Sequence, residues 1–205
     1  MLSWSVNADP RAGSRDRIRQ VLGLALLGAT VGTLFDWEHV VHGAIAYTRP
    51  VPLGIAWWTP LLYSGAALAI GLSHPMADRW LERLEVRPRT PLRLAIAMIC
   101  FLGIWYATGA LPLSSAIVAA LLMPLSLGVW WAFDATRAGL AMAITTALAG
   151  VGVEATLVGL GVFRHRSPDV FGVAWWLPSI YIAGSVAVGN VGRVLAPRRD
   201  RVMGS

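Results

Sequence analysis

The chain has no lysine: all 17 of its basic residues are arginine. It also has a single cysteine, Cys100, which excludes an intrachain disulfide framework and a cysteine metal cluster. Only 14% of its 205 residues are charged against 56% apolar, which excludes a soluble globule of ordinary type. No nucleophile, metal ligand and base recur at a recognisable catalytic spacing, so an enzyme is not expected. The glycine-rich run "GVGVEATLVGLG" at 150–161 follows no strand and reads as helix packing rather than as a dinucleotide fingerprint. The absence of lysine, with heavy use of alanine and glycine, points to a GC-rich bacterial genome.

Apolar runs are what the chain has instead. A helix needs about 20 residues to cross a hydrocarbon core of roughly 30 Å, and six runs approach that length: Ile18–Phe35, Trp57–Ser73, Leu92–Thr108, Leu113–Phe133, Arg137–Phe163 and Ala174–Leu195. The expected fold is therefore all-α, an integral membrane protein of six transmembrane helices. Residues 1–17 form a basic N-terminus, 18–195 the helical domain and 196–205 a basic tail. The first run is too long for a secretory signal and lacks a small-residue cleavage site.

The net charge of +6 could suggest a nucleic-acid partner, but the arginines fall between apolar spans and not along one soluble face. Arg11, Arg15, Arg17 and Arg19 precede the first run, and Arg79, Arg83, Arg87, Arg89 and Arg93 fill the second connection. Arg137 opens the fifth run, and Arg193, Arg198, Arg199 and Arg201 crowd the C-terminus. With six crossings all of these share one side, leaving Arg49, Arg164 and Arg166 opposite. Positive-inside asymmetry then puts both termini in the cytoplasm, in the plasma membrane of a bacterium.

Two stretches repeat: "GIAWWTPLLY" at 54–63 and "GVAWWLPSIY" at 172–181. The offset of 118 extends without a gap, giving 17 identities when the 56 residues 16–71 are laid over 134–189. Gly32 falls on Gly150, Gly43 on Gly161, Tyr63 on Tyr181, and Asp36 on Glu154. Because two spans separate the copies, helices 1–2 and 5–6 form a parallel repeat. The paired tryptophans, Trp57–Trp58 and Trp175–Trp176, are expected to set depth at the headgroup level. Small residues after them let helix backbones approach closely, and make self-association into a dimer or trimer plausible.

"AWWTP" at 56–60, "GLSHPMAD" at 71–78, "LSLGVWWAFDATRAG" at 125–139, "SPDVFGVAWWLP" at 167–178 and "GNVGR" at 189–193 together resemble the insulin-induced gene, or Insig, family. The resemblance covers nearly all six spans and implies a sensor without catalysis or cofactor. Eukaryotic Insigs are six-span proteins of the endoplasmic reticulum that bind oxysterols, hold the escort protein Scap and present HMG-CoA reductase for degradation. By resemblance Phe101 and Trp130 are pocket residues, and Asp134 and Arg137 stand where the family binds its partner, although Ala135 replaces an intervening arginine. The family's pocket glutamine falls at Ile117, so a sterol hydroxyl loses its polar partner. No Scap equivalent is identifiable in a bacterium. A local pairing of Asp134 with Arg137 at a helix start is the plainer reading of those two residues.

A bundle with many small and few bulky residues leaves room for an apolar ligand: a neutral lipid such as diacylglycerol, or a sterol. Its head would be held by Tyr63, Tyr106, Thr145, Thr146, Glu154, Tyr181 or Ser185, with Thr30 and Asn190 as further candidates. Glu154, an intramembrane carboxyl, speaks most against simple packing. It equally suits a small-solute or lipid transporter built on the parallel repeat. Asp36, Glu38, His39 and His42 crowd "FDWEHVVHGAI", but their spacing matches no metal signature, and a wet helix end is the expected reading.

Overall fold

A computed structural model describes residues 10–81 and 90–197. The basic residues Arg83, Arg87, Arg89, Arg198, Arg199 and Arg201 lie outside the described residues, as does most of the expected C-terminal tail. The chain forms helices α1 (Pro10–Leu27), α2 (Thr33–Val41), α3 (Thr59–Leu81), α4 (Pro91–Ala110), α5 (Ser115–Phe133), α6 (Arg137–Gly159) and α7 (Leu177–Leu195). A single π-helical stretch, Gly28–Gly32, joins α1 to α2, so the two run on as one rod.

The architecture is an all-α membrane bundle with one small departure. Strands β1 (Ile45–Tyr47) and β2 (Phe163–His165) pair antiparallel, Ala46 opposite Arg164. They occupy the segments after α2 and α6, where apolar content alone extends the fifth run to Phe163. The helix ends instead at Gly159, and Gly161 follows at φ +70°, a conformation in which a Cβ is strained. Gly43 takes the matching φ of +66° after α2.

Helix starts follow local chemistry. The Thr90 hydroxyl accepts from the Arg93 amide ahead of α4, with Pro91 in the first turn, and Thr136 caps α6 through the Gly139 amide at 2.9 Å. Helix α3 begins at Thr59, beyond both tryptophans, and continues through Pro75 to Leu81, well past the expected end at Ser73. The first helix starts at Pro10, inside the segment expected to be a basic extension.

Four helical stretches among the described residues are long and apolar enough to cross a membrane: Ser14–Val41, α4, α5 and α6. Helices α3 and α7 have the length but carry polar groups near one end, His74 and Asp78 in α3 and Asn190 and Arg193 in α7. Those groups are hidden by packing. Helix α7 is the axis of the bundle, touching α1, α3, α4, α5 and α6, and its Gly192 approaches Gly71 of α3 so closely that a Cβ would fall on the Gly71 carbonyl. The main core gathers Phe101, Ile104 and Trp105 of α4, Val118 and Leu122 of α5, and Ile180, Ala183 and Val186 of α7.

Candidate functional site

One cavity of about 640 Å³ runs along the bundle between the rod of α1–α2, α3, α4, α6 and α7. Its walls are apolar over most of their length, with Leu27, Ile70, Met98, Met142 and Val188 among them. Small residues open it: Gly65 and Ala69 on α3 and Ala149 on α6 line the space, and all three are exposed. A Cβ added at Gly65 would meet nothing within 4 Å.

Polar groups concentrate where the two strands cross the cavity. Asp36 accepts hydrogen bonds from the Tyr63 hydroxyl at 3.0 Å and the Tyr47 hydroxyl at 2.9 Å. Glu154 accepts from the Tyr181 hydroxyl at 2.6 Å and from His165 Nε2 at 3.0 Å. Both arrangements rest on a glycine one turn before the carboxylate. A Cβ on Gly32 would sit 2.5 Å from Tyr63, and one on Gly150 would overlap the Tyr181 ring. All six of these polar side chains line the cavity. Burial pushes the Tyr47 hydroxyl, on its strand, far up from the ordinary tyrosine range, and the Asp36 charge adds to this, so it remains a proton donor.

His39 completes this end. Trp105 Nε1 donates to its Nδ1 at 3.3 Å, which leaves Nε2 to donate to Thr108 at 2.8 Å. The imidazoles of His39 and His165 both pack on Trp176, with centroids 5.3 and 5.6 Å away. The expected wet helix end is therefore corrected: Asp36 and His39 are only 2% and 5% exposed, because β1 and α3 supply partners to Asp36 and α4 supplies them to His39. Glu38 keeps a partner in His42 at 2.8 Å. No cluster with metal-ligand geometry occurs among the described residues.

The other expected site residues divide. Phe101, Thr145 and Thr146 line the cavity beside Tyr63, Glu154 and Tyr181. Ser185 is buried behind the wall, taking a hydrogen bond from Thr146 at 3.1 Å and meeting His74 Nε2 at 3.0 Å. Tyr106 is half exposed outside the cavity, edge-on to His42. Trp130 is also outside it, donating to the Thr136 carbonyl. Thr30 bonds back to the Leu26 carbonyl of its own helix, and Ile117 faces outward on α5. The tryptophan pairs split as well. Trp57 and Trp175 are exposed, whereas Trp176 is buried against the histidines, since neighbours in a turn point in different directions.

At the opposite end of the bundle an ion network ties three elements together. Arg193 of α7 reaches both oxygens of Asp78 on α3, at 2.7 and 2.6 Å, and Asp134 at the corner between α5 and α6 at 2.6 Å. Asp134 therefore does not pair with Arg137, which is exposed at the start of α6. Burial alone would raise the Asp134 carboxyl, but the Arg193 charge and the Thr136 hydroxyl hold it below the usual carboxylate range. The histidine partner of Glu154 and this network were not anticipated. The members of the network are distant in sequence, and only the offset of 118, which lays Tyr47 on His165, hints at the histidine.

The profile of the insulin-induced protein (INSIG) family matches residues 19–196. The insulin-induced gene 1 protein of Danio rerio is 33% identical over 187 residues, covering 89% of this chain and 74% of that one. Its Xenopus tropicalis counterpart is 32% identical over 200 residues, 96% of this chain and 80% of that one. Among solved structures, a mycobacterial Insig homolog from Mycobacterium vanbaalenii, MvINS, superposes with a TM-score of 0.77 at 27% identity, covering 91% of this chain and 98% of that one. A cross-linked trimer of MvINS matches equally well. The chain belongs to the Insig family of membrane regulators, and like them it is not an enzyme.

Proposed function

We propose that the protein is a lipid-responsive regulator that holds one hydrophobic ligand in the cavity between α3, α6 and α7. The carrying observation is the cavity itself: an apolar space of about 640 Å³ with a polar end, within the range of roughly 300–1,000 Å³ usual for ligand sites. A neutral lipid such as diacylglycerol fits this division, its chains along the apolar walls and its head near Asp36 and Glu154. The exposed small residues on α3 and α6 suit entry from the bilayer. A sterol is the second ligand to test, given the family.

Six crossings place the two tryptophan-bearing loops on the outer side and the basic termini, 1–17 and 196–205, in the cytoplasm of a bacterium. Helices 1–2 and 5–6 are two copies of one hairpin, a reading supported by the matched carboxylate–tyrosine–glycine sets. MvINS has been crystallised as a trimer, and the same assembly is proposed here. Transport gains no support, because Glu154 stands near one end of its helix with two hydrogen-bond partners. Asp134, being buried, would serve a partner protein by shaping the corner it caps, with the exposed Arg137 nearby as the contact.

The test is mass spectrometry of lipids retained by detergent-purified protein, wild type against Gly65→Phe. A Cβ at this position meets nothing within 4 Å, so the added ring has open cavity space to enter. One lipid class near one molecule per chain, lost in the variant, is the expected result. Bulk phospholipids in bulk proportions from both would refute the reading.

A further inference from the structure

The chemistry of the cavity's polar end is more selective than a neutral lipid requires. Two carboxylates, Asp36 and Glu154, line one space, and no arginine stands among its lining residues. The chain has no lysine to supply one. An anionic head, phosphate or carboxylate, would find no arginine or lysine there to balance it, and the imidazole beside the carboxylates, His165, already bonds Glu154. A diacylglycerol head offers one donor against two acceptors, and its ester oxygens accept only.

Aromatic rings surround the same place. Tyr47, Tyr63 and Tyr181 line it together with Trp105 and Trp176. Each ring face carries partial negative charge, and rings around a desolvated pocket are a general means of holding an ammonium group. Each carboxylate is anchored by two donors, so its position is set, while its oxygens keep lone pairs for a third. Acceptors held rigid, rings around them and no arginine or lysine among the lining residues are together the complement of a proton-bearing amine.

We infer that the cavity is selective for a cationic amphiphile: a long-chain amine, with an adjacent hydroxyl, whose ammonium and hydroxyl donate to Asp36 and Glu154 while its chain fills the apolar walls. The inference rests on the lipid-binding reading above and narrows its ligand class. It places the head of the ligand near the outer membrane surface and assigns the two matched carboxylates a shared task.

Four probes decide it on the full chain in detergent: an octadecyl amino alcohol, its N-acetylated form, octadecanoic acid and monooctadecanoylglycerol, each measured by displacement of a fluorescent lipid. The amino alcohol is expected to bind about tenfold or more tighter than the N-acetylated form, which keeps the chain and hydroxyl but loses the charge. Asp36→Asn and Glu154→Gln are expected to shrink that ratio, and Gly65→Phe to abolish binding of all four probes. Equal affinity of the charged and acetylated forms, or preferential binding of the acid, overturns the inference and leaves the lipid cavity standing. An undiminished ratio in both carboxamide variants removes these carboxylates from the role. Failure of every probe, the glyceride included, overturns the lipid reading as well. The wild-type ratio needs no variant to fold.

Discussion

The hairpin of α2 and α3 and the hairpin of α6 and α7 use matched parts to different ends. Each presents a carboxylate to the cavity, a tyrosine on the following helix that donates to it, and a glycine on which that tyrosine rests. Yet 13 of the 19 residues of α7 are buried, against 4 of 23 in α3. The second hairpin is the bundle's axis and the first its outer wall. The rod leading into the first hairpin also takes a π-helical turn at Gly28–Gly32, where the corresponding part of α6 is regular. A π-turn adds a residue to one turn and exposes backbone, and here it lies along the cavity. The first hairpin thus looks like the compliant side of the pocket and the second like its frame.

The two carboxylate sets differ in a way that conserves reach. Asp36 is one methylene shorter than Glu154, and its strand partner, Tyr47, is longer than the corresponding His165. A short acid meets a long donor, and a long acid a short one.

The comparison breaks most sharply at Arg193. Arg193→Met leaves Asp78 and Asp134 facing each other without a cation, and a loss of about 3–5 kcal/mol is expected, read as a fall in thermal unfolding temperature. Disturbing the frame should unfold the whole bundle; an equal or larger loss from the wall-side Gln20→Leu, which removes its bond to the Gly192 carbonyl, would contradict this. Next in size are Gly32→Ala and Gly150→Ala, each pushing a tyrosine off its carboxylate at about 1–3 kcal/mol. The π-turn should make Gly32→Ala the milder of the two, and the reverse order would show that the turn does not yield.

A smaller effect tests the conservation of reach. Glu154→Asp and His165→Tyr should each cost about 1–2 kcal/mol through a lost hydrogen bond, while the double variant recovers most of the loss. Additive costs would mean that the match is accidental. The smallest effect concerns pH. The Asp134 carboxyl is held low in the folded protein, so its contribution is complete above the unfolded carboxylate range and disappears as pH falls through its folded value. In Asp134→Asn the acid limb of the stability curve should therefore flatten, which a pH series of melting temperatures checks.

Much of this comparison is legible before any coordinates. The offset of 118 aligns Asp36 with Glu154, Tyr63 with Tyr181 and Gly32 with Gly150, because contacts within one hairpin recur with the residues that make them. What depends on a third element is not legible. His39 reads as wet from its neighbours and is dry because α4 brings Trp105 and Thr108 to it. Arg193 reads as one more basic residue near the C-terminus, and only the fold carries Asp78 and Asp134 to it from 115 and 59 residues away. The strands have no signal of their own, since three residues each are too few to show a period.

The strand pair has a mechanical consequence. At one end of the molecule it stitches the loop after α2 to the loop after α6, and at the other end Arg193 fastens α3, α7 and the α5–α6 corner. Walls pinned at both ends cannot swing apart like doors. They can only bow at mid-height, like the staves of a barrel, so an occupant would make itself felt by girth, spread over the flank that faces neighbouring molecules in the bilayer.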